Sequence, residues 1–279
     1  MFDIKKIDIK SSNAKEIFYT SIKNTGFAVF ENHNISESVL DSFYESWAVF
    51  FNSKDKINYT FDPKTQHGFF PFKSESAKNN PIKDLKEFFH VYPKTNLPPF
   101  LKEDTNKIYK ELVSLGMQLL SWLDDCSPKD VRDLYSEPLV DMMSSSDRNL
   151  LRVIHYPPIE SIIEDGAIRA AAHEDINLIT LLVSGSQPGL EAKDVDGNWH
   201  KVPVDKGMIT VNVGDMLEMA SGGFYPSTSH RVVNPDNSKN VSRYSLPMFM
   251  HPRNDVVLKS GVTAQDYLQE RLKEIRLKT

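Results

Sequence analysis

The chain is short of the features that would take it out of the ordinary globular class. It has one cysteine, so no disulfide can close within it. That residue, Cys126, lies in Asp-Asp-Cys-Ser, where negative neighbours disfavour a thiolate, and an inert thiol is expected. No apolar run approaches the roughly 20 residues that a membrane-spanning helix needs. The opening Met-Phe-Asp-Ile-Lys-Lys-Ile-Asp has no apolar signal stretch, so a reducing cytoplasm is the expected compartment. Positive charge is not in excess. The 33 Lys and Arg face 38 Asp and Glu, a net of −5, which offers no field for nucleic acid. Internal repeats, low-complexity tracts and linkers are also missing.

What is present is a soluble composition, 40% hydrophobic and 25% charged, over 279 residues. Such a length suits a single domain, 1–279. Its first part, 1–100, mixes helices and short strands. Asn13 with Glu16 suits a helix start, and Gly26 to Phe30 reads as a buried strand. Ser36 can cap a helix whose Leu40, Phe43, Trp47 and Phe51 recur at helical spacing. Strands are expected at 67–72 and 86–92. The stretch 104–124 carries Ile108, Leu112, Leu115, Leu119 and Leu123 on one helical stripe.

From about Leu150 the texture becomes β. The segments 151–156, 169–175, 178–183, 189–192, 199–202, 208–213, 230–233 and 243–250 all read as strands. Turn residues separate them, among them Gln187-Pro188-Gly189, Asp196-Gly197 and Asn234-Pro235-Asp236-Asn237. Eight such strands predict a mainly β fold with flanking helices, its core, 150–255, a jelly roll. A charged amphipathic helix, running from Thr263 to Leu277, fills most of the tail, 263–279.

Within this β region, His173-Glu174-Asp175 stands at the mouth of an apolar run. Residues two apart in a strand share a face, so His173 and Asp175 lie together and Glu174 points away. An imidazole and a carboxylate there are costly unless something pairs with them. His230 starts another strand 55 residues after Asp175, and Arg243-Tyr-Ser245 follows 13 residues later. Two His and one carboxylate on one side of a metal suit non-haem Fe(II), with open positions for substrate and O2. Arg243 and Ser245 share a face and make a carboxylate receptor.

That spacing resembles the isopenicillin N synthase-like branch of the Fe(II)/2-oxoglutarate oxygenases. The surrounding stretches do too: Gly26-Phe-Ala-Val-Phe-Glu-Asn-His33, Leu151-Arg-Val-Ile-His-Tyr-Pro-Pro158, Val211-Asn-Val-Gly-Asp-Met-Leu217 and Tyr225-Pro-Ser-Thr-Ser-His-Arg-Val-Val-Asn-Pro235. The resemblance implies a double-stranded β-helix core. It implies Fe(II) on His173, Asp175 and His230, and the distal carboxylate of 2-oxoglutarate on Arg243 and Ser245 with Tyr156 nearby. It implies oxidation of a small-molecule C–H bond, in hydroxylation above all, with 2-oxoglutarate and O2 giving succinate and CO2. Plant members of the family usually read Asn-Tyr-Tyr-Pro where this chain reads Ile154-His155-Tyr156-Pro157, a departure that bears on how the co-substrate is contacted and not on the iron site.

Other readings stand beside this one. A family oxidase would use O2 without 2-oxoglutarate. A zinc hydrolase would need a general base beside the metal, and no His-Glu-x-x-His is present. A non-catalytic jelly-roll binding module would not need so complete a ligand set. On the substrate side the candidates are Arg169, Phe70, Phe89 and Phe224, each weighed against a bland role. Arg169 has the parity of His173 but could form a rim salt bridge. Core packing claims at least half of Phe69, Phe70, Phe88 and Phe89. The Gly-rich loop 221–225 could rim the pocket. His33, His67, His90, His155, His200 and His251 are expected to be structural, Arg231 to point outward, and Arg152 to pose the same question as Arg169. Asp215 is expected as a turn or cap residue.

Overall fold

A computed structural model describes residues 2–76, 81–159, 165–185, 187–235 and 240–275. Asp236 and Asn237 of the expected turn, and Leu277 at the expected helix end, lie outside these residues.

The N-terminal part runs β1 (Lys6–Asp8), α1 (Ala14–Thr25), β2 (Phe27–Glu31), α2 (Glu37–Asn52), a 3-10 turn (Lys54–Tyr59), β3 (Gly68–Phe70) and β4 (Glu87–Val91). The Asn13 side chain makes no capping bond; α1 instead ends on Gly26, whose φ of 69° only glycine takes at little cost. Ser36 does cap α2, accepting from the Val39 N–H. The long helix α3 (Pro99–Cys126) begins five residues before the expected start. Proline suits the first turn of a helix, where its missing N–H costs nothing, so Pro99 opens the helix rather than breaking it. Two short helices follow, α4 (Lys129–Arg132) and α5 (Leu139–Met142).

The β region then comprises β5 (Leu150–Tyr156), β6 (Ala170–His173), β7 (Ile179–Val183), β8 (Leu190–Lys193), β9 (Trp199–Lys201) and β10 (Ile209–Val213). After a short helix α6 (Asp215–Ala220) come β11 (His230–Val232), β12 (Arg243–Met250), β13 (Val257–Lys259), β14 (Val262–Thr263) and α7 (Ala264–Ile275). Eight strands form a large sheet in the order β1-β2-β10-β7-β12-β5-β4-β3, and four form a small one, β6-β11-β8-β9. The two face each other as a double-stranded β-helix.

Strand alternation sorts the side chains into two apolar layers. Outward residues of the large sheet, including Ala28, Phe30, Leu151, Val153, Leu181, Val211 and Met248, pack against Phe18, Trp47, Ile108 and Leu119 of α1, α2 and α3. Gly116 lets α3 approach the sheet, because a Cβ there would sit 2.7 Å from the Met250 methyl. Inward residues, including Phe27, Val29, Phe88, Ile154, Tyr156, Leu190 and Val232, fill the space between the sheets. The helices therefore brace one sheet from behind, and its inner face carries its own apolar layer.

Candidate metal centre

Three ionisable groups converge in the barrel. The ligand atoms of His173, Asp175 and His230 lie within 4.8 Å of one another, the one such cluster among the described residues. Backbone pairing brings this about. β6 and β11 run antiparallel with His173 opposite His230. Asp175 follows two residues after β6 ends, and its Oδ1 lies 3.9 Å from Nε2 of both histidines.

Hydrogen bonds fix which atoms face the centre. Nδ1 of His173 lies 2.8 Å from the Ala171 carbonyl oxygen, and Nδ1 of His230 lies 3.2 Å from that of Thr228. A carbonyl only accepts, so both rings carry their proton on Nδ1 and turn the Nε2 lone pair inward. Oδ2 of Asp175 accepts from the Thr180 hydroxyl at 2.6 Å and from Asn212 Nδ2 at 2.8 Å. Oδ1 is thus the atom left for a cation. Burial alone would raise the Asp175 carboxyl, but His230, His173 and these two donors outweigh it and hold the group below its ordinary value. Burial and the neighbouring His230 push His173 down. Two imidazoles presenting Nε2 and a carboxylate presenting Oδ1 form a three-point face that fits a divalent metal and leaves its far side open.

The strand alternation expected around His173 fails in detail. Ala170 pairs with Val232 and His173 with His230, three residues against two, so β6 carries a bulge. The strand also ends at His173 rather than Asp175. Glu174, expected to face away, is half-buried and borders the cavity described next.

A cavity of about 690 Å3 opens on His173 and Asp175. Its wall carries a buried charge network. Lys86 pairs with Glu75 and Asp84, both at 2.8 Å, and Arg152 pairs with Glu75 at 3.1 Å. Arg152 Nε donates to His90 Nε2 at 2.8 Å, so His90 is neutral, with its proton on Nδ1 directed to the Gln66 carbonyl. Burial and Arg152 hold His90 well below the ordinary histidine range. Asp84 also accepts from the Ala171 N–H at 3.0 Å, which ties the network to the ligand strand. His251 borders the cavity too, its imidazole lowered to about 4 by burial. His67, His90 and His251 are structural by sequence pattern, yet all three line this cavity. A signal does exist for His90, which alternates with Phe88 on β4 and so shares the inward face.

The other end of the barrel holds Arg243, Ser245 and Tyr156. Arg243 lies opposite Tyr156 across the β12–β5 pair, with Ser245 on the same face. Its guanidinium carbon is 5.1 Å from the Tyr156 ring centre, its Nε donates to the Gln187 carbonyl at 2.9 Å, and its buried Nη1 has no partner. Gly185 makes room for it, since a Cβ there would lie 3.1 Å from the guanidinium carbon. A second cavity, of about 340 Å3, reaches Arg243. Such an orphaned buried cation is what a carboxylate would satisfy.

The remaining candidates fall elsewhere. Phe89 packs on Trp47 and Phe50 in the outer layer, and Phe70 stacks between Phe61 and Phe88. Phe224 lies against Tyr19, and Tyr225 of the same loop is buried on Ser127. None of these three phenylalanines lines the 690 Å3 cavity. Arg169 is 1% exposed and makes no ion pair with a described residue, so the rim salt bridge is absent. The structural roles hold for others. His155 bonds to Glu87 and Ser242, and Arg231 pairs with Glu191 over Trp199. Asp215, expected as a turn or cap residue, is instead the first residue of α6, capped by Gly214, and receives bonds from Ser227 and Tyr267. Burial pushes the Cys126 thiol up, as an inert thiol requires.

A double-stranded β-helix with two imidazoles and a carboxylate at its mouth defines a non-haem metal enzyme. Residues 148–252 match the 2OG-Fe(II) oxygenase superfamily, and 3–111 match the N-terminal region described as non-haem dioxygenase in morphine synthesis. A proline hydroxylase of Petromyces alliaceus is 30% identical, over 87% of this chain and 82% of its own length. A 2-oxoglutarate-dependent dioxygenase of Didymella fabae is 27% identical over 85% and 78%. A provisionally named oxygenase of Shewanella oneidensis superposes with a TM-score of 0.89 at 43% identity, covering 98% of each chain. The chain belongs to the 2OG-Fe(II) oxygenase superfamily, and it is a 2-oxoglutarate- and Fe(II)-dependent dioxygenase, with His173, Asp175 and His230 as its candidate iron site.

Proposed function

We propose that this enzyme hydroxylates a small polar molecule in the 690 Å3 cavity while Arg243, Ser245 and Tyr156 hold the distal carboxylate of 2-oxoglutarate. The observation that carries the reading is the unpartnered, buried Nη1 of Arg243, on the same inner face as Ser245 and directly across from Tyr156. Bound iron and 2-oxoglutarate supply the oxidising chemistry: with O2, a C–H bond becomes C–OH, and 2-oxoglutarate becomes succinate and CO2.

The chain's own residues do the rest. Nε2 of His173, Nε2 of His230 and Oδ1 of Asp175 would hold the cation. Thr180 and Asn212 fix the carboxylate so that only one oxygen faces the metal. Phe27, edge-on to His230 at 5.7 Å, shields that ring from water. The paired charges of Glu75, Lys86, Asp84 and Arg152 give the substrate wall a polar but neutral character. Hydroxylation is favoured because a 30% identical relative is a proline hydroxylase. The absence of Asn before Tyr156 leaves an apolar Ile154 in the inner layer at that point.

The same reading takes 1–279 as one folded unit working in a reducing cytoplasm, with no nucleic-acid or membrane partner. The net charge of −5 supports the lack of a nucleic-acid partner. No helix among the described residues is long and apolar enough to cross a membrane.

The test is succinate release across a library of polar metabolites, with and without 2-oxoglutarate. Stimulated succinate together with a product heavier by one oxygen is the expected outcome. Oxygen uptake that ignores 2-oxoglutarate, or a product lacking the added oxygen, would contradict it.

A further inference from the structure

Two guanidiniums are buried at the Tyr156 end of the barrel, and the family resemblance accounts for only one. Arg169 and Arg243 are 1% and 2% exposed. Their guanidinium carbons lie 6.0 and 5.1 Å from the centre of the same Tyr156 ring. Arg169 spends Nη2 on the Val241 carbonyl at 2.7 Å, while its Nε has no partner, like Nη1 of Arg243. No carboxylate of a described residue lies within ion-pair distance of either.

Burying one such cation without a counter-ion is costly, and burying two together is more so. Attraction to the Tyr156 ring offsets only part of this. Arg169 is nonetheless held in place from the backbone. Its N–H donates to Asn234 Oδ1 at 3.0 Å, and Asn234 Nδ2 donates to the Ala167 carbonyl at 2.8 Å. A side chain so positioned, with no anion among the described residues, is suited to receive one.

We propose that Arg169 is a second cationic anchor for the distal carboxylate of 2-oxoglutarate, beside Arg243. This rests on the assignment of Arg243 to that carboxylate. One short segment then serves both ends of the co-substrate, His173 at the metal and Arg169 four residues earlier at the distal carboxylate. Burial, followed by Arg243, lowers Arg169 to about 10, so it remains a cation at neutral pH.

The test uses full-length protein loaded with Mn(II) and kept free of O2, titrated in a calorimeter. The two probes are 2-oxoglutarate and 2-oxopentanoate, the same oxo acid without a distal carboxylate. Arg169→Met is expected to weaken 2-oxoglutarate roughly 10- to 100-fold, the range for a lost hydrogen bond between charged groups. It should leave 2-oxopentanoate unchanged, and Arg169→Lys should restore part of the loss. The thermal midpoint of unliganded Arg169→Met should not fall, because an uncompensated buried charge has been removed. Unchanged 2-oxoglutarate affinity in folded Arg169→Met would overturn the proposal and leave Arg243 in place. An equal loss for both probes, or a lowered midpoint, would make Arg169 a structural tie and overturn it too. Unchanged 2-oxoglutarate affinity in Arg243→Met would remove the reading on which it stands.

Discussion

The two ends of the barrel treat buried charge in opposite ways. At the substrate end, Lys86 and Arg152 are matched by Glu75 and Asp84, two cations to two anions, with His90 locked neutral between them. At the Tyr156 end, Arg169 and Arg243 have no described anion at all, and each leaves a buried nitrogen unsatisfied. Paired charges shape a wall and have little left with which to attract a ligand. Unpaired charges raise the energy of the empty protein and return it when an anion binds. Under the proposed function, the difference separates a surface that selects by shape and hydrogen bonding from one that takes a carboxylate.

The metal face opens on the same cavity as the paired charges, and breaking it should have the largest effect. Asp175→Asn keeps the shape but removes the only negative ligand. Bound metal, measured by elemental analysis after anaerobic loading, should fall to background, and succinate formation with it.

Disturbing the paired end should cost stability rather than affinity for 2-oxoglutarate. Glu75→Gln leaves Arg152 without its carboxylate while Lys86 keeps Asp84, and removing one partner from a buried pair costs about 3–5 kcal/mol. Urea unfolding reads this directly. The same end sets the response to acid. Burial alone would raise the Glu75 carboxyl, but Arg152 and Lys86 hold it well below its ordinary 4.5. The unfolded chain therefore takes up that proton first, and the stabilisation is complete above pH 4.5 and drains away below it. His90, depressed from 6.5, acts with the same sign from a higher starting point. Stability should thus fall continuously from pH 6.5 downward, and Glu75→Gln should flatten the lower part of that curve.

Disturbing the unpaired end should do the reverse. Arg243→Met should weaken 2-oxoglutarate by about 2–4 kcal/mol, roughly 30- to 1000-fold, with little change in the unfolding midpoint. A large stability loss instead would mean that the two ends are not so different. The smallest effect is expected at the support of the metal face. Thr180→Val removes one donor to Asp175 and should lower metal affinity roughly 10- to 100-fold, read by competition with a chelator.

Much of the fold and of the metal face is legible in the amino-acid sequence. The strands are marked by the turn residues that punctuate them, and His173, Asp175, His230, Arg243 and Ser245 follow from strand spacing and family resemblance. Two things are hidden. β6 ends at His173, so the alternation by which Glu174 would be placed stops before it, and where a strand ends depends on the partner strand, which a single sequence does not name. The substrate wall is hidden because it is assembled from distant segments. Arg152 can be suspected of facing inward, but nothing along the chain ties it to Glu75 and Lys86, which flank β3 and β4 and meet it through the β3-β4-β5 pairing. The aromatic candidates Phe70, Phe89 and Phe224 mislead for the converse reason: apolar bulk near a site is most often packing.

The most direct test is diffraction from crystals grown without O2 in Fe(II) and 2-oxoglutarate, recorded at the iron absorption edge. The account predicts one anomalous peak bonded to Nε2 of His173, Oδ1 of Asp175 and Nε2 of His230, with the distal carboxylate lying on Arg243. Iron at any other place, or that carboxylate on Lys86 and Arg152, would contradict it.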